Sequence, residues 1–156
     1  MSRWHNIYQD NHAHFCTYTV KDWQPVLDEI AIACLYDEWR RNCERFSVKI
    51  IAYVIMPEHV HMLIWSESAD NIRRFLQRVL GQTSKRLKPG IGGLWKERPR
   101  VFPVSEDDVL GEKVDYIHAN PVRRGLVETA EDWPHSSYRQ IILGQAAQAF
   151  ECSPVE

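Results

Sequence analysis

His59 and His61 stand two residues apart in the run 53–65, "YVIMPEHVHMLIW", which is otherwise almost wholly apolar. Side chains alternate across a strand, so His59, His61 and Leu63 would share one face and Val60, Met62 and Ile64 the other. At roughly 3.4 Å per residue the two histidines have Cα atoms about 7 Å apart, and rings converging from there can hold one metal ion. Two packed or half-exposed histidines satisfy the same spacing, which recurs in "HAH" at 12–14, so spacing alone leaves both readings open. A second group lies in "DYIHANPVRRGLV", where Tyr116 and Asn120 are four apart and would project from one face of a helix. The phenol could be a nucleophile and the amide oxygen a third metal ligand. A packed tyrosine and a helix-terminal asparagine are the plainer alternatives.

These residues need elements to hold them. "HAHFCTYTV" (12–20) is rich in β-formers and reads as a strand. Pro25 suits the first turn of a helix, and Val26, Leu27, Ile30, Ala33 and Cys34 begin an apolar stripe that runs to about Arg45. "FSVKIIAYVIM" is a second strand, Pro57 and Glu58 make a turn, and "HVHMLIW" is the third strand. Asp70 or Asn71 can cap a helix with Ile72, Phe75, Leu76, Val79, Leu80 and Leu87 inside, and "PGIGG" stops it. "KERPRVFPV" is a fourth strand, which Pro99 and Pro103 place at a sheet edge. "SEDD" at 105–108 resembles a capping box opening a third helix, expected to stop near Asn120 because Pro121 disfavours helical geometry before it. "WPHSSYRQIIL" reads as a looser tail with a short closing helix.

The order is therefore β-α-β-β-α-β with an added helix that bears Tyr116: an α+β, ferredoxin-like antiparallel sheet with two helices on one face. The 156 residues suit a single domain over 1–156, with a core of about 12–120 and a tail of about 121–156. No apolar run reaches the length of a membrane span, and the N-terminal stretch lacks an apolar signal core. Cys16, Cys34, Cys43 and Cys152 show no metal-knuckle spacing and read as reduced thiols of a cytoplasmic protein. Net charge is −2, but residues 71–104 carry nine Lys/Arg against one Glu. Such a block is either a polyanion footprint or a solvated helix face.

"YVIMPEHVHMLIW", "GGLWKERPRVF", "DYIHANPVRRGLV" and "WPHSSY", in this order, resemble the REP-associated tyrosine transposases, single-tyrosine members of the HUH nuclease superfamily. The resemblance implies a metal-dependent single-stranded DNA endonuclease and strand transferase that acts on hairpins of repetitive palindromic elements through a 5′-phosphotyrosine. It implies Tyr116 as nucleophile, and His59, His61 and Asn120 as ligands of Mg²⁺ or Mn²⁺. A monomer is favoured, a dimer is the alternative, and DNA-bound protein would lie with the nucleoid. Glu58 departs from the family, which often has Asn there. The basic residues then become candidates for the hairpin backbone: Arg73, Arg74, Arg78, Lys85, Arg86 and Lys88 along the second helix and its exit, Lys96, Arg98 and Arg100 around the fourth strand, and Arg123 and Arg124 beyond the tyrosine. Trp95 or Phe102 would supply base stacking. The competing reading is a non-catalytic hairpin-binding module whose histidines and tyrosine only pack.

Overall fold

The structure, a computed structural model, describes residues 5–153 apart from 97, 106 and 148. Its elements are β1 (His12–Thr19), α1 (Glu29–Phe46), β2 (Lys49–Ile55), β3 (His59–Ser66), α2 (Ala69–Leu87), β4 (Arg100–Val104), α3 (Asp107–Arg123) and α4 (Tyr138–Ile141). The strands form an antiparallel sheet in the order β2-β3-β1-β4, the ferredoxin-like arrangement. β4 starts at Arg100, so Pro99 lies outside it, and the missing N–H of Pro103 suits the edge position of the strand.

Both faces of the sheet are covered, which is why β2 and β3 read as continuous apolar runs. On one face, Ala31, Ile32, Leu35, Tyr36 and Trp39 of α1 and Ile72, Phe75, Leu76 and Val79 of α2 meet Cys16, Tyr18, Tyr53, Val60, Met62 and Ile64. The Trp39 indole N–H donates to the Tyr18 hydroxyl at 3.0 Å, so this large aromatic is buried without an orphaned donor. On the other face, Ile117 of α3 packs with Phe15, Ala52, Val54 and Leu63. A register shift between Ile50 and Ala52 inserts one extra residue in β2, so Ile51 and Ala52 both join the α3 face. The shift also sets Val54 opposite His61.

Backbone partners occupy the outer strands. Along β2, Ser137 N–H donates to Tyr53 O (3.0 Å), Ile55 N–H to His135 O (2.8 Å) and Ser153 N–H to Ile50 O (2.8 Å). Along β4, Val101 N–H donates to Asn6 Oδ1 (3.0 Å) and Ile7 N–H to Val101 O (3.2 Å). The tail is thus laid against the sheet, and α4 is a single turn.

Several expected boundaries move. Pro25 lies outside α1, which starts where the Asp28 carboxylate accepts from Ala31 N–H at 3.0 Å, a cap worth about 1 kcal/mol. Val26 and Ile30 are consequently exposed, at 45% and 77%, and the buried stripe is the one through Leu35 and Trp39. The residue before α2 is Ser68, not Asp70 or Asn71. Glu106, just after the expected Ser105 cap, lies outside the described residues; the described helix begins at Asp107. Pro121 does not stop α3, which runs on to Arg123. Proline removes one helical N–H, and here the loss falls in the last turn. The closure comes at Gly125, where φ is 71°: Gly125 N–H donates to Val122 O (2.9 Å) and Leu126 N–H to Pro121 O (3.0 Å). That double bond around a left-handed glycine is a Schellman stop.

His118 of α3 is buried, with Nε2 2.7 Å from Ser137 Oγ of the tail and no partner for Nδ1 among the described residues. Burial pushes its pKa down to about 4, against a small opposing pull from Asp115. The unfolded chain therefore binds a proton near pH 6.5 that the folded chain refuses until about pH 4. Stability is full above about pH 6.5 and is lost as pH falls through that window, by at most about 1.4 kcal/mol per pH unit for this group. In urea unfolding between pH 7 and 4.5, His118→Gln should show a shallower decline than the wild type. Equal slopes would mean that His118 is not a source of acid sensitivity.

Candidate active site

β3 begins at His59, directly after the Pro57–Glu58 turn, so both histidines emerge at the end of the sheet where the chain is tightest. Pairing of β1 with β3 sets Thr19 opposite His59 and Thr17 opposite His61. α3 crosses this face with Tyr116 and Asn120 directed at it. The result is a cleft of about 450 Å³ lined by Thr17, Thr19, Trp23, His59, His61, Tyr116, Asn120, Arg123 and Arg124.

The histidines meet tip to tip, Nε2 to Nε2, at 3.1 Å. Each is fixed from behind. His59 Nδ1 lies 2.9 Å from Glu58 Oε1, which also accepts from Arg124 Nη1 at 2.5 Å. His61 Nδ1 lies 2.8 Å from Thr17 Oγ1. A carboxylate held by arginine only accepts, so His59 carries its proton on Nδ1 and presents a lone pair at Nε2. A threonine hydroxyl both donates and accepts, so His61 can present either a lone pair or a proton at its tip. Burial drives both imidazoles toward the neutral form. His59 is lowered by desolvation, with Glu58 opposing, and His61 falls to about 3 through desolvation with His59 and Arg123 adding to it.

Tyr116 stands 39% exposed at the lip, its ring centroid 5.5 Å from that of His61 and edge-on to it. Arg123 Cζ lies 4.2 Å from the tyrosine ring centroid and Lys113 Nζ 6.0 Å. Asn120 is 5% exposed, and among the described residues its amide makes no hydrogen bond. Two nitrogen ligands at about 2.1 Å and at right angles stand about 3.0 Å apart, close to the separation found. Two neutral imidazole tips, an unengaged buried amide and open space beside them suit a divalent ion that keeps water or phosphate among its ligands. Among the described residues no three His, Cys, Asp or Glu side chains cluster to make a fuller cage.

The four residues singled out in the sequence, His59, His61, Tyr116 and Asn120, thus lie in one cleft, and sequence reasoning missed their supports. Thr17 and Thr19 become legible only through the β1–β3 register, and Lys113 only through its i,i+3 relation to Tyr116. Trp23 carries no sequence signal. Glu58 stood out merely as a departure. His14 points to the opposite face, where Nε2 accepts from Gln9 N–H at 3.0 Å. Trp95 is buried, with its indole N–H donating to Thr83 Oγ1 at 2.8 Å, and cannot stack on a base. Phe102 stacks on Phe15, centroids 5.3 Å apart.

The basic residues divide. Arg123 and Arg124 line the cleft. α2 packs on the face away from the histidines. On it, Arg73 and Arg74 pair with Asp70 at 2.9 Å each, and Arg86 with Asp37 (2.7 Å) and Glu38 (2.9 Å). Arg78 and Lys85 line an open groove on α2 together with Arg74. Lys88, Lys96, Arg98 and Arg100 are exposed around the exit of α2 and the start of β4.

The model of the family described as "Transposase IS200 like" matches residues 8–120. A Haemophilus influenzae protein provisionally named a REP-associated tyrosine transposase is 30% identical over 120 residues, 69% of this chain and 68% of that one. The Escherichia coli REP-associated tyrosine transposase is 30% identical over 94 residues, 59% of this chain and 55% of its own length. A REP-associated tyrosine transposase solved bound to a REP hairpin superposes with a TM-score of 0.81, covering 100% of this chain and 98% of that one at 23% identity, which shows a shared fold. No described helix is long and apolar enough to cross a membrane.

The proton on His59 can be read directly. Long-range ¹H–¹⁵N correlation at pH 7.5 should find His59 in the Nδ1–H form in the wild type and mixed or reversed in Glu58→Ala. An unchanged tautomer in the variant would show that Glu58 does not orient the ring.

Proposed function

The chain belongs to the IS200-like transposase family, and from that membership we propose that it cuts and rejoins single-stranded DNA at hairpins of the REP type, with Tyr116 as nucleophile. The observation that carries the proposal is the convergence in one cleft of an exposed tyrosine, 5.5 Å ring to ring from His61, with two imidazole tips 3.1 Å apart.

The tyrosine oxygen would attack phosphorus and displace the 3′ oxygen of the preceding nucleotide. The bond formed is a phosphotyrosine to the 5′ side, and the bond broken is the P–O3′ ester. The proton lost by the phenol balances the one gained by the 3′-hydroxyl. Because one phosphodiester replaces another, a later 3′-hydroxyl can reverse the step without an external energy source. Arg123 and Lys113, beside the tyrosine ring, place positive charge where the phosphate must sit. Glu58 and Thr17 hold the imidazoles in place, and α3, closed at Gly125, holds the phenol over them. A divalent ion, Mg²⁺ or Mn²⁺, bound by His59, His61 and Asn120 would supply Lewis-acid polarisation of the phosphate. We place the protein with the DNA in the cytoplasm.

Incubation with a REP-type hairpin oligonucleotide and Mn²⁺ should give a denaturant-resistant protein–DNA adduct. Tyr116→Phe should give none while still shifting the hairpin in a native gel, and excess chelator should cut adduct formation by the wild type at least 100-fold. An adduct of wild-type strength from Tyr116→Phe would refute the assignment.

Hairpin affinity should fall steeply with salt, because each phosphate neutralised by Lys or Arg releases its condensed counterion. If the α2 groove tracks the backbone, Arg78→Gln with Lys85→Gln should lower the slope of log K against log salt by roughly 0.7–0.9 per lost contact. A slope unchanged from the wild type would rule out the α2 groove as the DNA track.

A further inference from the structure

Trp39, Trp95 and Trp133 each send the indole N–H to an acceptor within the fold. Trp23 and Trp65 do not among the described residues, and of these two Trp23 is the more exposed, at 51%. The Trp23 ring lies nearly parallel to His59, at 19° with centroids 5.0 Å apart, and Arg124 Cζ lies 5.4 Å from its centroid. It forms part of the same cleft as Tyr116 and Asn120.

The backbone goes out of its way to put it there. Asp22 and Trp23 both adopt left-handed geometry, with φ of 56° and 55°, a region that bulky residues rarely enter. The turn is pinned on several sides. Trp23 N–H donates to Val20 O (3.1 Å), Lys21 N–H to Leu94 O (3.0 Å) and Val20 N–H to Glu58 O (2.9 Å), and Lys21 Nζ contacts Gly92 O. A large aromatic held in a strained turn, half in water and laid against an active-site histidine, does not serve the core. Its free surface suits a planar, apolar partner. The Arg124 guanidinium over the ring suits a partner that carries phosphate.

We propose that Trp23 is a base-binding platform, on which the nucleobase adjoining the phosphate attacked by Tyr116 stacks. This rests on the proposed function and adds to it a recognition element for the nucleotide at the cut. Stacking on an aromatic side chain tolerates any base, so Trp23 would position the strand and leave sequence choice to other contacts. It would also explain why the cleft needs no buried Trp95 for stacking.

The test measures hairpin affinity in the Tyr116→Phe background, where no cleavage intervenes, using oligonucleotides that carry an abasic site at each position around the cut. Trp23→Ala should weaken binding of the intact strand about 5- to 150-fold. One abasic position should weaken binding to Trp23 by a similar factor, and the two changes together should cost no more than either alone. Trp23→Phe should recover most of the loss. If Trp23 only supports the fold, Trp23→Ala would weaken intact and abasic strands alike, which overturns the proposal. Unchanged affinity for Trp23→Ala, with adduct formation by an otherwise wild-type chain, overturns it alone. Absence of any adduct or hairpin binding by the wild type overturns the function and this proposal together.

Discussion

A carboxylate sealed from water must be paired, and Glu58 is paired twice through one oxygen, to His59 Nδ1 and to Arg124. Its backbone carbonyl takes a third contact, from Val20 N–H. One residue in a tight turn therefore ties together the end of β1, the start of β3 and the end of α3. Those three elements, with the turns that follow β1 and α3, bring every side chain of the cleft. Burying the carboxylate is tolerable only because both partners are in place, so the same demand for partners also orients His59 and anchors the helix that bears Tyr116.

The end of α3 shows how local chemistry sets this anchor. The helix passes Pro121 at the loss of one hydrogen bond and closes at Gly125. That extra turn lets Arg123 lie against the tyrosine ring and brings Arg124 within reach of Glu58. A helix ending at Asn120 would have left both guanidinium groups on an unconstrained loop. The tyrosine, the amide and the two arginines are thus successive products of one helix face and its stop.

Much of this was legible in the residues. Period-two and period-3.6 patterns found the strands, the paired helices and the face that carries His59 and His61. The motif resemblance assigned Tyr116 and Asn120 their places. What was not legible depends on pairing between distant segments. Thr17 reaches His61 only because of the β1–β3 register, and Trp95 is drawn inward by Thr83 of α2. Boundaries failed where two signals competed: Asp28 prevailed over Pro25, and Gly125 over Pro121, because each completes hydrogen bonds that its rival only fails to obstruct. Charge counts found the basic third but could not see that Asp70, Asp37 and Glu38 partly neutralise it.

The partners laid along β2 and β4 have a consequence for assembly. On β2 the tail supplies Ser137, His135 and Ser153, and on β4 the N-terminal segment supplies Asn6 and Ile7. At these positions the outer strands have no free backbone groups to offer an incoming strand. Two copies of the chain cannot merge their sheets there without first peeling away a terminus, and an extended peptide faces the same obstacle. Self-association that leaves the termini in place would, at these positions, run through side chains on helices and loops, without disturbing the strands that hold the histidines.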